Sequence, residues 1–218
     1  MDIQALFFEI IVIIIGVLCA LFIDKLNEKR NHIKRINSIM KIVINNMKHD
    51  ISIIDKIIQT KKSDDKLYQR YIHAKDLDDK LLIDCGNIPV TTQSFTAKVR
   101  GYNLLKDARV DFDFKNSELI TDIVHHYNLF LTSLKKYELE IYDTCSKNID
   151  EMTSFTWFDS VANHHINSKE YIDYIRTDQF KKQLLFMQFL KNHYCSHLLD
   201  YQNRTSILLK RSLESNYK

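Results

Sequence analysis

The chain has 218 residues and a formal net charge of +3 at pH 7, because its 31 lysines and arginines are interspersed with 28 aspartates and glutamates. So small a basic excess argues against nucleic acid as a partner. The three glycines are too far apart for a glycine-rich phosphate loop, and the sequence has no G-x-S-x-G, H-E-x-x-H or kinase signature. The sequence therefore predicts a protein that is not an enzyme, with no catalytic residue and no cofactor.

An apolar run at residues 5–23 opens the chain, and Glu9 is its one charged residue. A helix of this length matches a hydrocarbon core of about 30 Å. A cleaved signal peptide, the main alternative, needs a basic start and small residues at the cleavage site. Residues 1–4 contain no Lys or Arg, and the run ends in Phe22-Ile23-Asp24-Lys25. The run therefore predicts a single transmembrane helix.

Basic residues follow the apolar run closely, and none precedes it. They are Lys25, Lys29, Arg30, Lys34 and Arg35. The positive-inside rule then places the C-terminal bulk of the chain in the cytoplasm. We expect the same five side chains to contact anionic lipid headgroups. The widely spaced Cys85, Cys145 and Cys195 agree with a cytoplasmic location, because they do not form the disulfide framework of a secreted protein.

Two features of the apolar run point beyond simple anchoring. Gly16 and Ala20, with Cys19 beside them, form a small-xxx-small pair that lets helices approach closely, which predicts a homo-oligomer. Plain anchoring is the alternative, since Gly and Ala are common in membrane helices. Glu9 is an ionisable group in the membrane segment, and such groups usually have a partner or a water path. Because it lies about one turn from the outer end, we expect it to snorkel to the headgroups.

The N-terminal pattern resembles a bacterial single-pass membrane family known as domain of unknown function 6090. The resemblance rests on Phe8-Glu9-Ile10-Ile11, on residues 15–21, and on Asn27-Glu28-Lys29-Arg30. A second match covers the turn around Gly101 and the Glu118-Leu119 that opens the next helix. The chain departs from the family pattern at Leu26, where that pattern has Trp, and it lacks the basic leader. The resemblance implies a helical protein anchored in the bacterial inner membrane and brings no known activity.

Heptad spacing continues beyond the membrane segment. Ile33, Met40, Met47 and Ile54 recur every seven residues, as do Ile36, Val43, Asp50 and Ile57 three positions later. This a/d pattern, with one polar interruption at Asp50, predicts either a coiled-coil stalk between copies or the first helix of the chain's own bundle. Additional isoleucines at positions 44, 51 and 58 widen the stripe and favour the bundle helix.

Helical patterns fill most of the remaining chain. The loop around Pro89 is the clearest break, and Thr91-Thr92 suggests the N-cap of a helix through Phe95. Residues 110–114 alternate like an extended connector. Further helices are predicted from Asn116 or Ser117, from Ser168, and from Thr177 or Asp178. The predicted fold is all-α: an anchor at 1–24, a stalk or first bundle helix at 25–62, and a cytoplasmic helical domain at 63–218.

His193 and His197 stand one helical turn apart, which is a spacing that can chelate a metal. Tyr194 follows the first histidine, so the metalloprotease arrangement is absent, and no third ligand is evident. A metal-dependent hydrolase would need this pair, but packing at the edge of the core is the preferred interpretation. The pairs His125-His126 and His164-His165 are weaker, because adjacent helical residues point apart. Lys98, Arg100 and Lys106 are interpreted as solvated surface rather than a phosphate site.

These features favour a membrane-anchored, non-enzymatic interaction or sensing module that self-associates through its transmembrane helix. Its expected partners are the lipid bilayer, further copies of the chain, and a protein that binds the cytoplasmic domain. The alternative function is a membrane-disrupting effector of a bacterial anti-phage system, triggered through the cytoplasmic domain. In that case Glu9 would line the assembled membrane segments.

Overall fold

A computed structural model describes residues 3–74, 78–108, 117–163 and 168–215, without the side chains of residues 3–7, 10 and 162. This part of the chain is helical and contains no strand. The helices are α1 (Ile3–His73), α2 (Asp79–Gly86), α3 (Arg100–Asp107), α4 (Ser117–Thr153), α5 (Phe158–Ala162), α6 (Lys169–Ile175) and α7 (Asp178–Glu214), with a 3-10 turn at Ile88–Val90. The all-α prediction is confirmed. The predicted connector at 110–114 and the pair His164-His165 lie outside the described residues.

Three helices begin at residues whose side chains cap the first turn. The Asp78 carboxylate accepts from the Leu81 N–H at 2.6 Å, at the start of α2. Ser168 caps α6 by accepting from the Tyr171 N–H, and Thr177 caps α7 by accepting from the Phe180 N–H. Each cap satisfies a backbone donor that has no partner within its helix. The starts predicted at Ser168 and Thr177 are confirmed.

Helix α1 is 71 residues long and runs without interruption through both predicted domain boundaries. Side chains from Phe8 to Asn31 that the structure describes are exposed, and the first fully buried residue is Ile36. Within the described residues, no helix has both the length and the apolar character needed to cross a membrane. The predicted transmembrane assignment of residues 5–23 is therefore not supported. That segment includes residues 5–7 and 10, whose side chains lie outside the description.

Helices α1, α4 and α7 form the proximal core, which lies next to the exposed segment of α1. Asp50 and Asp64 of α1 contact Tyr201 and Lys191 of α7, respectively, so α7 runs antiparallel to α1. Asp122 and His126 of α4 contact Arg211 and Thr205, so α7 is antiparallel to α4 as well. The heptad positions of α1 from Ile36 to Ile57 are buried in this core, where α1 packs against α3 and α7. The heptad stripe of α1 therefore packs within the chain, as expected for the first helix of the chain's own bundle. It is not free to form a coiled coil between copies.

A second, distal core lies at the far end of the bundle. Short helices α2, α5 and α6 pack there on the ends of α1, α4 and α7, around Trp157, Tyr174 and Phe180. Rings in this core are close together: Trp157 lies 5.0 Å from Tyr171 and 5.1 Å from Tyr174, between centroids. The predicted aromatic cluster at 155–158 indeed closes one end of the bundle.

The helix predicted after Thr91-Thr92 is wrong, because residues 91–99 are not helical. Phe95 and Ala97 are nonetheless buried. The backbone N–H groups of Phe95 and Lys98 donate to side chains of other helices instead of to their own segment. Tertiary hydrogen bonds thus replace the helical ladder that the local sequence favours.

Candidate functional site: an exposed apolar rod and two buried polar clusters

The most unusual surface of the protein is the first part of α1, which we call the apolar rod (residues 8–26). Its large apolar side chains are exposed on every side of the helix, from 38% at Ile11 to 71% at Phe8. They are Phe8, Ile11, Val12, Ile13, Ile14, Ile15, Val17, Leu18, Leu21, Phe22, Ile23 and Leu26. A contiguous apolar surface of this kind normally marks contact with a membrane or another protein.

The residues predicted to act in the membrane segment all lie on this rod. Glu9 is exposed, and so are Cys19 and Ala20. A Cβ atom added at Gly16 would have no neighbour within 4 Å, so the fold itself does not require glycine there. Gly16 and Ala20 are one turn apart and therefore share a face of the helix. The five basic residues predicted to meet headgroups, Lys25, Lys29, Arg30, Lys34 and Arg35, are exposed at the end of the rod nearer the bundle.

A proximal polar cluster lies inside the bundle: Asp50, His126, Tyr127, Tyr201 and Thr205. Asp50 is fully buried. Its two carboxylate oxygens accept hydrogen bonds from the Tyr201 hydroxyl at 2.8 Å and from the Lys98 N–H at 3.0 Å. Burial raises the pKa of Asp50, although both hydrogen bonds oppose that shift. Asp50, the polar residue that interrupts the heptad pattern, thus links α1 to α7 and to the segment before α3.

His126 completes this cluster from α4. Its Nε2 lies 2.9 Å from the Thr205 hydroxyl, which itself donates to the Tyr201 carbonyl at 2.7 Å. Since the hydroxyl proton is already used, the Thr205 oxygen must accept, and the neutral ring carries its proton on Nε2. Nδ1 is buried without a partner. Burial lowers the pKa of His126 to about 4, with a smaller contribution from the positive charge of Arg204.

The 3-10 turn at Ile88–Val90 and the irregular residues that follow it form a segment, residues 88–98, that packs on these helices; we call it the strap. Lys191, Asn148 and Cys145 donate to the carbonyls of Ile88, Pro89 and Val90, respectively. The Phe95 N–H donates to Glu138 at 2.7 Å and to the Tyr194 hydroxyl at 2.9 Å. Side chains therefore satisfy backbone groups at the buried points of a segment that has no sheet partner and is not α-helical.

A second polar cluster, the polar seam, lies on α1 between the residues of the proximal core and those of the distal core, and on α7 beside Met187 and Leu190 of the proximal core. It consists of Lys61, Asp64, Asp65, Gln188 and Lys191. Lys191 Nζ lies 3.2 Å from Asp64 Oδ2, and Lys61 pairs with Asp65, which also accepts from Gln188. Lys61 and Lys191 are both buried, so their pairing offsets the cost of removing each charge from water. An adjoining cavity of about 30 Å³ is large enough for one water molecule.

The two histidines of the candidate metal pair, both on α7, have different partners. His197 Nε2 lies 3.0 Å from the Tyr137 hydroxyl, whereas His193 packs its ring on the exposed Phe189, 4.4 Å away between centroids. No group of three possible metal ligands occurs among the described residues. Burial raises the pKa of the Cys85 thiol to about 11 and also raises the pKa values of Cys145 and Cys195. These three thiols are poor nucleophiles at neutral pH.

Sequence reasoning found the apolar rod and missed both buried polar clusters. Asp50 was visible as an interruption of the heptad pattern. Nothing in the sequence indicated that Lys61 and Lys191, 130 residues apart, would be buried side by side. Comparison with known protein families, curated proteins and solved structures finds no match for this chain. The resemblance to domain of unknown function 6090 stays a prediction.

Proposed function

We propose that this chain is a membrane-tethered, non-enzymatic helical interaction module whose apolar rod is covered by lipid. The observation that carries the proposal is the exposure of large apolar side chains around the whole circumference of α1 between Phe8 and Leu26. At about 25 cal/mol per Å² of apolar surface, leaving such a rod in water is strongly unfavourable. A bilayer covers every side of a helix at once, whereas a single docking partner covers one side.

The charge pattern supports the same proposal. Lys25, Lys29, Arg30, Lys34 and Arg35 follow the rod within the next turns of α1, and all are exposed. Each basic residue close to an anionic leaflet contributes about 1 kcal/mol of attraction. This arrangement favours an orientation with the bundle on the cytoplasmic side of a bacterial inner membrane.

The length of the apolar run also supports a spanning arrangement. Residues 5–23 read as one unbroken apolar stretch in the sequence, interrupted only by Glu9. At 1.5 Å per residue this stretch is about 28 Å long, close to the thickness of a hydrocarbon core. The proposal rests on this run and on the exposure of the described side chains, since no described helix meets the criteria for a membrane span.

Cys19 gives a direct test, because it is exposed on the rod while Cys85, Cys145 and Cys195 are buried. We would reconstitute the full chain into phosphatidylcholine–phosphatidylglycerol vesicles and measure its reaction with a membrane-impermeant maleimide. Cys19 is expected to be protected. The matched control is Cys19→Ser combined with Ser38→Cys, which moves the thiol to an exposed position of α1 beyond the rod and should react quickly.

Equal reaction rates at positions 19 and 38 would overturn the proposal. Protection by other copies of the chain is distinguished by raising the lipid-to-protein ratio. Dilution in the membrane leaves protection by lipid unchanged but removes protection that depends on association. Self-association through Gly16 and Ala20 is part of the proposal only if, at high protein density, some of the protection depends on association and is removed by dilution. The membrane-disrupting effector stays a prediction.

A further inference from the structure

The described bundle contains two hydrophobic cores rather than one. The proximal core is built from α1, α4 and α7 with α3 and with Phe95 and Ala97 of the strap, whereas Ile88 of the strap belongs to the distal core. The distal core is built from α2, α5 and α6 against the ends of the long helices, and it includes Trp157 and Phe180. On α1 the proximal core ends at Ile57, and the distal core begins with the partly buried Leu67. The interval between them is occupied by the polar seam.

The two cores differ in how they are held. Helices α2, α5 and α6 have 8, 5 and 7 residues, so none is stable without tertiary contacts. Their polar links to the long helices include three bonds: the Tyr71 hydroxyl donates to the Ile175 carbonyl at 2.8 Å, the Cys85 thiol donates to the Leu67 carbonyl at 3.6 Å, and the Tyr174 hydroxyl donates to Gln183 at 2.7 Å. Arg176 of the α6 end also pairs with Asp79 of α2. The proximal core is bounded mainly by long stretches of α1, α4 and α7, and α3 is its one short helix among the described residues. Loss of the distal contacts therefore removes less buried surface than loss of the proximal ones.

We infer that the distal part of the bundle, helices α2, α5 and α6 with the helix ends that hold them, is a separable cooperative unit that opens before the proximal core. The polar seam is the boundary along which it separates. Asp65 and Asp64 both lie on α1, so Lys61 and Lys191 keep an acidic partner when the distal unit opens, whereas the bond from Lys191 to the carbonyl of Ile88 reaches a residue of the distal core. Regions of low local stability of this kind open below the global unfolding free energy.

Opening at this end leaves the rest of the molecule in place. Tyr71 lies 48 residues beyond Ile23 on one continuous helix, which is about 70 Å along the helix axis. The distal unit is thus remote from the apolar rod. Its opening uncovers aromatic side chains of the distal core while the proximal core keeps α1 attached. This is a conformational device independent of the proposed membrane tether.

Two glycines allow each unit to be perturbed separately. A Cβ atom at Gly86 would collide with the hydroxyl of Tyr171 and approach Ile175 Cδ1 at 3.0 Å, both in the distal core. A Cβ atom at Gly101 would lie 2.8 Å from the Val43 backbone nitrogen, in the proximal core. Gly86→Ala and Gly101→Ala are therefore matched variants, each adding one methyl group at a close approach between helices.

The test is amide hydrogen exchange, read by mass spectrometry, on the full chain in a mild detergent. In the wild-type protein, α2 and α6 should exchange at least tenfold faster than residues 119–134 of α4. Gly86→Ala should speed exchange in α2, α5 and α6 at least tenfold, and in residues 119–134 by no more than the same factor, because the larger opening includes the distal one. Gly101→Ala should speed exchange in residues 119–134 and leave α2, α5 and α6 unchanged, because the distal unit opens while the proximal core stays folded. Equal acceleration of both regions by Gly101→Ala would show a single cooperative unit and overturn the inference.

A second measurement needs no variant. Trp157 is the one tryptophan of the chain, and it lies in the distal core. In a denaturant titration, its fluorescence should change at a lower concentration than the helical circular dichroism signal, which comes mainly from α1, α4 and α7. Coincident midpoints would contradict the inference even if a glycine variant failed to fold.

Discussion

The Asp50 carboxylate and the Tyr201 hydroxyl meet at 2.8 Å in the centre of the proximal core, 151 residues apart in the chain. Asp50 also accepts from the Lys98 N–H on the strap. One buried side chain therefore fixes the position of α7 and of the extended segment relative to α1. The loss in the free energy of unfolding should therefore depend strongly on which side chain replaces Asp50.

Asp50→Ala should lower the free energy of unfolding by about 3 kcal/mol, because two buried donors lose their acceptor. Asp50→Asn should cost less than about 1 kcal/mol. Its carbonyl oxygen can still accept from Lys98, its amide can donate to the Tyr201 oxygen, and no charge is buried. Denaturant titration of both variants in detergent checks this order. Equal losses would show that the charge of Asp50, not its hydrogen bonds, supports the fold.

Acidification should destabilise the protein through His126. Burial holds its pKa at about 4 in the folded protein, below the value near 6.5 expected in the unfolded chain. The folded state thus binds fewer protons between these values. The contribution of neutral His126 to the free energy of unfolding is complete above pH 6.5. It is lost as the pH falls towards 4, by about 3 kcal/mol in total. Asp50, whose pKa is raised, contributes with the opposite sign in the acid range.

The measurement is the free energy of unfolding between pH 7 and pH 4 for the wild type and for His126→Gln. The glutamine amide still offers a donor to Thr205 but does not titrate, so the slope between pH 6.5 and 4 should flatten. His193→Gln, at an exposed position of α7, is the control and should keep the wild-type slope. A slope unaffected by His126→Gln would assign acid sensitivity to other groups.

Lys191→Met should lower the free energy of unfolding by about 2 kcal/mol. The substitution leaves the Ile88 carbonyl and the partly buried Asp64 without the ammonium that both contact. This loss is smaller than the loss expected for a fully buried ion pair, because the Asp64 side chain is 22% exposed. In a double-mutant cycle, adding Asp64→Asn should cost little further, since the unpaired charge is removed. Additive losses would mean that the two groups are not coupled.

Gly16→Ile should leave the denaturant midpoint of the bundle unchanged, because nothing in the described structure lies within 4 Å of a Cβ atom at Gly16. It should lower self-association in detergent if two rods approach through the Gly16–Ala20 face. Analytical ultracentrifugation of the full chain measures this directly. Val12→Ile, which adds one methyl group elsewhere on the rod, is the control. An unchanged sedimentation profile for Gly16→Ile would remove self-association from the proposed function.

The sequence predicts the helices well where one strong local signal defines them. The heptad stripe of α1 and the capping residues Ser168 and Thr177 are of this kind. It fails for residues 91–99, because their conformation depends on Asp50, Glu138 and Tyr194, which are distant in the chain. For the same reason neither buried polar cluster could be found. Local patterns show which face of a helix is apolar, but not which polar side chains meet across helices.

The continuity of α1 fixes the angular relation between the apolar rod and the bundle. No Gly or Pro lies between residues 17 and 85, so the helix has no built-in swivel where it leaves the bundle. Each residue advances the helix by 100° and 1.5 Å. Inserting one residue near Asn31 would therefore turn Glu9 and Gly16 by about 100° relative to α4 and α7, whereas inserting seven would turn them by only about 20°. The rotational position of the apolar rod about the axis of α1 is therefore fixed relative to the bundle, and a rotation of one about this axis rotates the other.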